Sequence, residues 1–157
     1  MSPPSLASPV EVFVSYSHKD AQLREKLLTH LALLQNQKVI SAWYDGKIDP
    51  GKEWEPEIYE HLNAARIILL LISADFLASS FCYSKEMTRA LERHNLGDAR
   101  VIPIILRPVD WHSASFGKLK ALPTDGKAVT EWPNRDSAWK TVATGIRTAA
   151  EGLRAHP

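Results

Sequence analysis

The chain's 157 residues are close to one domain in length, enough to bury roughly two-thirds of the unfolded surface, so no second core is expected. Its 19 Lys+Arg stand against 18 Asp+Glu, with no cationic cluster longer than a pair, which argues against nucleic acid or an anionic membrane as partner. Cys82, the one cysteine, closes no internal disulfide, and no apolar run is long enough to cross a bilayer; we therefore expect a cytoplasmic protein in a reducing compartment.

Residues 1–9 lack the charged start and apolar core of a signal peptide and read as a flexible leader. Val10 to Ser15 is the first predicted strand. Lys19 to Gln35 is a helix whose Leu23, Leu27, Leu31 and Leu34 repeat at intervals of four, four and three. Val39 to Tyr44 is a second strand, ended by Asp45-Gly46 and by Asp49-Pro50-Gly51-Lys52, whose Pro-Gly pair suits the central positions of a type II turn. Trp54, Ile58, Leu62 and Ala65 mark a second helix. The apolar run Ile67 to Ile72 suits a strand buried on both faces of a parallel sheet. A third helix is expected from about Ser80 to His94, and a fourth strand from Val101 to Leu106, near an edge or bulge because Pro103 has no amide donor.

From Arg107 to Thr124 the pattern is irregular, anchored by Trp111 and Phe116. Ala128 to Thr130 is expected as a minimal fifth strand. Asp136 is expected to cap a last helix carrying Trp139, Val142, Ile146, Ala150 and Leu153. Strands and helices alternate throughout. With right-handed crossovers this gives an α/β domain over residues 10–154, a flavodoxin-like, three-layer, doubly wound parallel sheet of about five strands in the order 2-1-3-4-5. Residues 155–157 are expected to be a tail or the start of a linker to a further module.

Several chemistries fail on residue type. No G-x-G-x-x-G follows the first strand, and no P-loop is present. The six histidines never form H-E-x-x-H, and one cysteine cannot build a zinc cluster, so neither a metal nor a bound cofactor is expected. No G-x-S-x-G elbow exists, which leaves Ser15, Ser17 and Ser73 as strand-end hydrogen-bonders. A phosphorelay receiver needs acidic residues after the first strand and an aspartate ending the third; Ser17-His18-Lys19 and Ser73 stand there instead. Glu86 is different. It lies on the first turns of the helix leaving the third strand, and ligands of open parallel sheets bind outside the strands' carboxyl ends. Its plain alternative is a solvated helix glutamate paired with Arg89.

The segments Val12-Phe-Val-Ser-Tyr-Ser17, Trp43 to Trp54, Ile72 to Glu86 and Val101 to Trp111, in this order and covering nearly all of the chain, resemble the conserved boxes of a Toll/interleukin-receptor (TIR) domain. Cys82-Tyr83 ahead of Glu86-Met87, together with Arg107-Pro-Val-Asp-Trp111, is similar to the bacterial branch, whose members often cleave NAD+ as immune effectors. The resemblance implies that Glu86 is the catalytic glutamate. It implies that Tyr16, Ser17, His18, Asp45 and Asp49 contact substrate; the plain readings are helix capping for Ser17 and turn formation for the aspartates. Cys82 occupies the place of an aromatic that stacks on nicotinamide in many enzymatic relatives, with Phe81 and Tyr83 beside it. The resemblance also implies that Pro50, Gly51, Lys52 and Trp54 lie in the family's mobile loop, through which in relatives one copy completes the cleft of the next, although the spacing of Trp43 and Trp54 also suits packing.

One carboxylate suffices for this reaction class. Ordinary glycosidases need a second to protonate an alkoxide leaving group. The pyridinium of NAD+ departs as neutral nicotinamide, so a single glutamate has only to stabilise the oxocarbenium charge and hold the ribose. The expected function is therefore NAD+ glycohydrolase, giving nicotinamide and ADP-ribose or a cyclic isomer, activated by self-assembly in anti-phage immunity, with NAD+ as substrate. The alternative is a non-enzymatic TIR adaptor acting by self-association. Asp45 to Glu60 holds six acidic residues against Lys47 and Lys52, whereas Lys85 to Lys120 holds seven basic residues against four acidic ones. That asymmetry favours head-to-tail contact between copies, and a fused or separate sensor module would supply the trigger.

Overall fold

The computed structural model describes residues 8–47, 54–80 and 84–155, with backbone alone at Trp54 and Asp125. Four parallel strands, β1 (Val10–Ser15), β2 (Ile40–Trp43), β3 (Ile67–Ile72) and β4 (Arg100–Ile105), lie in the order β2-β1-β3-β4. In β3 the unbroken apolar run finds its cause: it sits between β1 and β4, and all six of its residues are buried. Register places Ser15 opposite Leu70 and Ile72 opposite Ile105, so the carboxyl ends of the strands form one edge.

Alternation along β3 divides the core into two layers. Ile67, Leu69 and Leu71 face α1 (Ala21–His30) and α6 (Arg135–Ala155), meeting Leu27, Trp139 and Val142. Ile68, Leu70 and Ile72 face α3 (Trp54–Ala64) and α5 (Lys85–Asn95), meeting Ile58, Leu62 and Met87. This is the three-layer arrangement that the alternating pattern predicts, because successive strand residues point to opposite faces.

The differences from expectation are local. The first helix is divided into a 3₁₀ turn (His18–Asp20), α1, and the short α2 (Ala32–Asn36), although Leu27, Leu31 and Leu34 are buried as the stripe requires. The stretch after β3 carries its own turn, α4 (Ala74–Leu77), capped by Ser73. The third predicted helix starts later than expected, because Ser84 caps it by accepting from the amide of Met87 at 3.4 Å. The minimal fifth strand is not formed: Val129–Glu131 is a 3₁₀ turn, tied to the end of β4 by the Thr130 amide on the Leu106 carbonyl at 3.1 Å. Leu122 takes the position beside β4 with a single bridge, donating to Pro103 and accepting from Ile105. The sheet therefore has four strands among the described residues, and β4, with Pro103, is its edge strand. Asn134, not Asp136, receives the Ser137 amide at the start of α6, at 3.2 Å; Asp136 instead approaches His30 at 3.5 Å.

Leu70 is fully buried where β3 meets β1 and β4. Leu70→Ala should destabilise the domain by about 2–5 kcal/mol, read as a lower urea midpoint at unchanged m-value.

Candidate active site at the carboxyl edge of the sheet

At this edge a cleft of about 520 Å³ opens between the segment after β1, the turn after β2, and the first turns of α3 and α5. Glu86, Tyr16, Ser17, His18 and Asp45 all line it. Ser84 sets the start of α5, which puts Glu86 in the first turn. There the amide dipoles favour a carboxylate. Glu86 is half-buried and makes no ion pair among the described residues. Arg89 is directed elsewhere, donating through Nε to Asn63 at 2.8 Å and pairing with Glu92, so the surface pairing with Glu86 is not formed.

The wall opposite is a fixed polar cluster. Tyr16 donates to Asp45 Oδ1 at 2.8 Å and accepts from Arg24 Nη1, also at 2.8 Å. The Arg24 guanidinium stands 4.8 Å from the ring centre of Tyr16 and 4.3 Å from that of Tyr44. Burial, reinforced by the hydrogen bond and charge of Asp45, pushes the Tyr16 phenol up to about 12 against the pull of Arg24. Tyr16 is therefore neutral at physiological pH, with its one proton given to Asp45. His18 Nε2 lies 3.8 Å from Asp45 Oδ2 with its side chain 83% exposed, free to turn toward a ligand.

On α3, Glu55 also lines the cleft, and burial followed by the charges of Glu86 and Glu55 raises the Tyr59 phenol above its usual range. Glu55 and Glu86 thus stand in the same cleft. Their joint field favours a cation in the cleft.

Behind the cleft the strand ends are cross-tied. Asp20 is 2% exposed, accepts the Ser73 hydroxyl and pairs with Arg107 Nη2 at 2.7 Å. The same nitrogen meets Asp75 at 2.6 Å, and that bond is the main reason the Asp75 carboxyl lies below the ordinary range.

Asp49, Pro50, Gly51, Lys52, Cys82 and Tyr83 lie outside the described residues, as do the side-chain contacts of Trp54. Ser17 caps the following turn, accepting from the Lys19 amide at 3.3 Å, while also lining the cleft. Asp45 is held in side-chain contacts with Tyr16 and His18. Trp43 stacks on His61 at 4.1 Å and tilts against Phe13, a packing role. Trp111 is 7% exposed and anchors the connection after β4. Sequence reasoning missed Glu55 and Arg24. The signal for Glu55 was its place in the first turn after the loop; Arg24, eight residues beyond Tyr16, carried no local pattern.

The sequence profile of the TIR domain family matches residues 12–147. The chain belongs to the TIR domain family. A protein of Sinorhizobium fredii, the uncharacterised y4lF, is 53% identical over 139 residues, covering 88% of this chain and 43% of that protein. The disease resistance protein RPS6 of Arabidopsis thaliana is 25% identical over 139 residues, and this chain covers 12% of it. The TIR domain thus spans less than half the length of these curated relatives. The TIR domain of the Toll-related receptor TRR-2 of Hydra magnipapillata superposes with a TM-score of 0.58 at 20% identity, covering 87% of this chain and 97% of that one, which establishes the shared fold.

A pH prediction follows from Tyr16. An unfolded phenol ionises near about 10, so with the folded value raised, stability is intact below that pH and falls as pH rises through about 12. Tyr16→Phe should flatten this alkaline decline and remove one late phenolate step from the absorbance titration near 295 nm.

Proposed function

We propose that this TIR domain is an NAD+ glycohydrolase. The observation that carries the proposal is a half-buried glutamate, Glu86, at a helix start in a cleft of about 520 Å³ shared with Tyr16, His18 and Asp45. That volume lies within the ordinary range for small-molecule sites, about 300–1,000 Å³. In the proposed reaction the C1′–N bond of the nicotinamide riboside breaks, and its electron pair leaves on the pyridinium nitrogen as neutral nicotinamide. Glu86 stabilises the positive charge left on the ribose and holds its hydroxyls. Water then adds to C1′ and loses a proton to solvent, giving ADP-ribose; capture by an adenine nitrogen gives the cyclic isomer. Tyr16, whose proton is held by Asp45, forms the wall of the site, and Ser17, His18 and Asp45 orient the substrate, with Asp49, Cys82 and Tyr83 as further contacts. No metal or separate cofactor enters these steps.

The kinship to a disease resistance protein and the partial coverage of longer relatives support an effector module in a cytoplasmic immune protein, here assigned to anti-phage defence and triggered through a sensor segment. Assembly is proposed to be head-to-tail through the loop containing Pro50, Gly51, Lys52 and Trp54.

Incubating concentrated protein with NAD+ and following free nicotinamide tests the reading; an intact NAD+ pool would favour the adaptor function. Glu86→Gln should lower cleavage by a factor of roughly 10² or more, the usual consequence of losing about 3 kcal/mol at the transition state. The same change should alter stability by less than about 0.5 kcal/mol. Near-wild-type turnover in a folded variant removes Glu86 from the mechanism. Specific activity should also rise with protein concentration and fall with added salt, because the complementary charge blocks are screened. A flat dependence on both would mean that each monomer holds a complete site.

A further inference from the structure

A second concavity, of about 660 Å³, lies on the other helical layer, between α1 and the start of α6, and its chemistry is the inverse of the cleft's. Four cations line it: Lys19, Lys26, Arg107 and Arg135. Two carboxylates also line it, and both are already committed, Asp20 to Arg107 and Ser73, Glu25 to Arg24. Lys26 and Arg135 are exposed and form no ion pair among the described residues. Arg107 meets both of its carboxylates through Nη2, with its side chain 39% exposed and its Nε buried without a hydrogen-bond partner. Leu23 is the one large apolar side chain in the lining, and Gln22 and Thr130 add neutral polar groups. A groove this polar does not suit an apolar segment or the face of a partner helix. The near-zero net charge of the chain gives no long-range field for nucleic acid.

We propose that this groove binds the phosphoryl groups of a small phosphorylated molecule, with Lys26 and Arg135 as the charge contacts. Planar guanidinium groups and ammonium groups around a concave polar surface are the donors that such anions require. Lys19 lines both this groove and the cleft, so an occupant here shifts the charge that faces the Tyr16 and His18 wall. The proposal does not depend on NAD+ cleavage.

The test is an amide NMR titration of the whole chain with inorganic pyrophosphate and, separately, ADP, at ionic strength held constant with sodium chloride. Saturable shifts are expected at Lys26, Thr130 and Arg135, with smaller shifts at Ser17 and His18. Lys26→Glu with Arg135→Glu should weaken both probes by about tenfold or more at an unchanged melting temperature. Lys26→Gln with Arg135→Gln should weaken them less, and serves as the folded variant if the charge reversal destabilises the chain. Vesicles carrying phosphoinositide distinguish a lipid headgroup from a free ligand. Absence of saturable shifts with millimolar pyrophosphate, binding unaffected in both variant pairs, or binding to vesicles without binding of either free probe overturns the proposal.

Discussion

The Asp20 carboxylate holds the edge of the sheet on which every candidate function depends. It follows β1, accepts the hydroxyl of Ser73 at the end of β3, and pairs with Arg107 just beyond β4. A carboxylate 2% exposed needs such partners, and breaking one side of a buried pair typically costs about 3–5 kcal/mol. Ser73 works twice, since its hydroxyl also receives the Phe76 amide at 3.1 Å and so starts α4. Strand order brings these three carboxyl ends together, and the polar tie keeps them in a fixed relation where helices and loops diverge.

From that tie the two sides of the sheet differ in sign. Toward α3 and α5, Glu86 and Glu55 give a field that favours a cation, with Tyr16 locked as a neutral donor between Asp45 and Arg24. Toward α1 and α6 the groove carries Lys26 and Arg135, which form no ion pair among the described residues. Lys19 lies between them, 3.7 Å from Asp75, exposed and able to respond to either side. A doubly wound sheet separates these environments without a second domain, because consecutive crossovers leave helices on opposite faces while all strand ends stay on one edge.

Much of the architecture was legible in the chain because it rests on periodicity. The Ile67 to Ile72 run, the leucines from Leu27 to Leu34 and the α6 stripe are burial patterns that only one layering satisfies. What was not legible rests on side-chain hydrogen bonds and on competition for an edge. Ala128 to Thr130 has strand-like residues, yet Leu122 reaches β4 first and leaves Val129–Glu131 to turn. Asp136 has a capping side chain, but Asn134 takes the role two residues earlier. In the site, Glu86 is picked out by its place after the third strand, and Tyr16, Ser17, His18 and Asp45 by the resemblance to the TIR family alone; all five line one cleft. Arg24 is not legible in the sequence, because its role comes from the contacts it makes with Tyr16 and Tyr44 and not from its neighbours in the chain; for Glu55 the one signal is its place in the first turn of α3.

In the proposed function Glu86 meets the nicotinamide-bearing ribose in the cleft walled by Tyr16. A crystal structure of the Glu86→Gln variant with intact NAD+ tests it most directly. C1′ of that ribose is expected in contact with the side chain at position 86, with the phenol of Tyr16 on the cleft wall. NAD+ bound against α1 and α6, or with its nicotinamide riboside away from position 86, would contradict it.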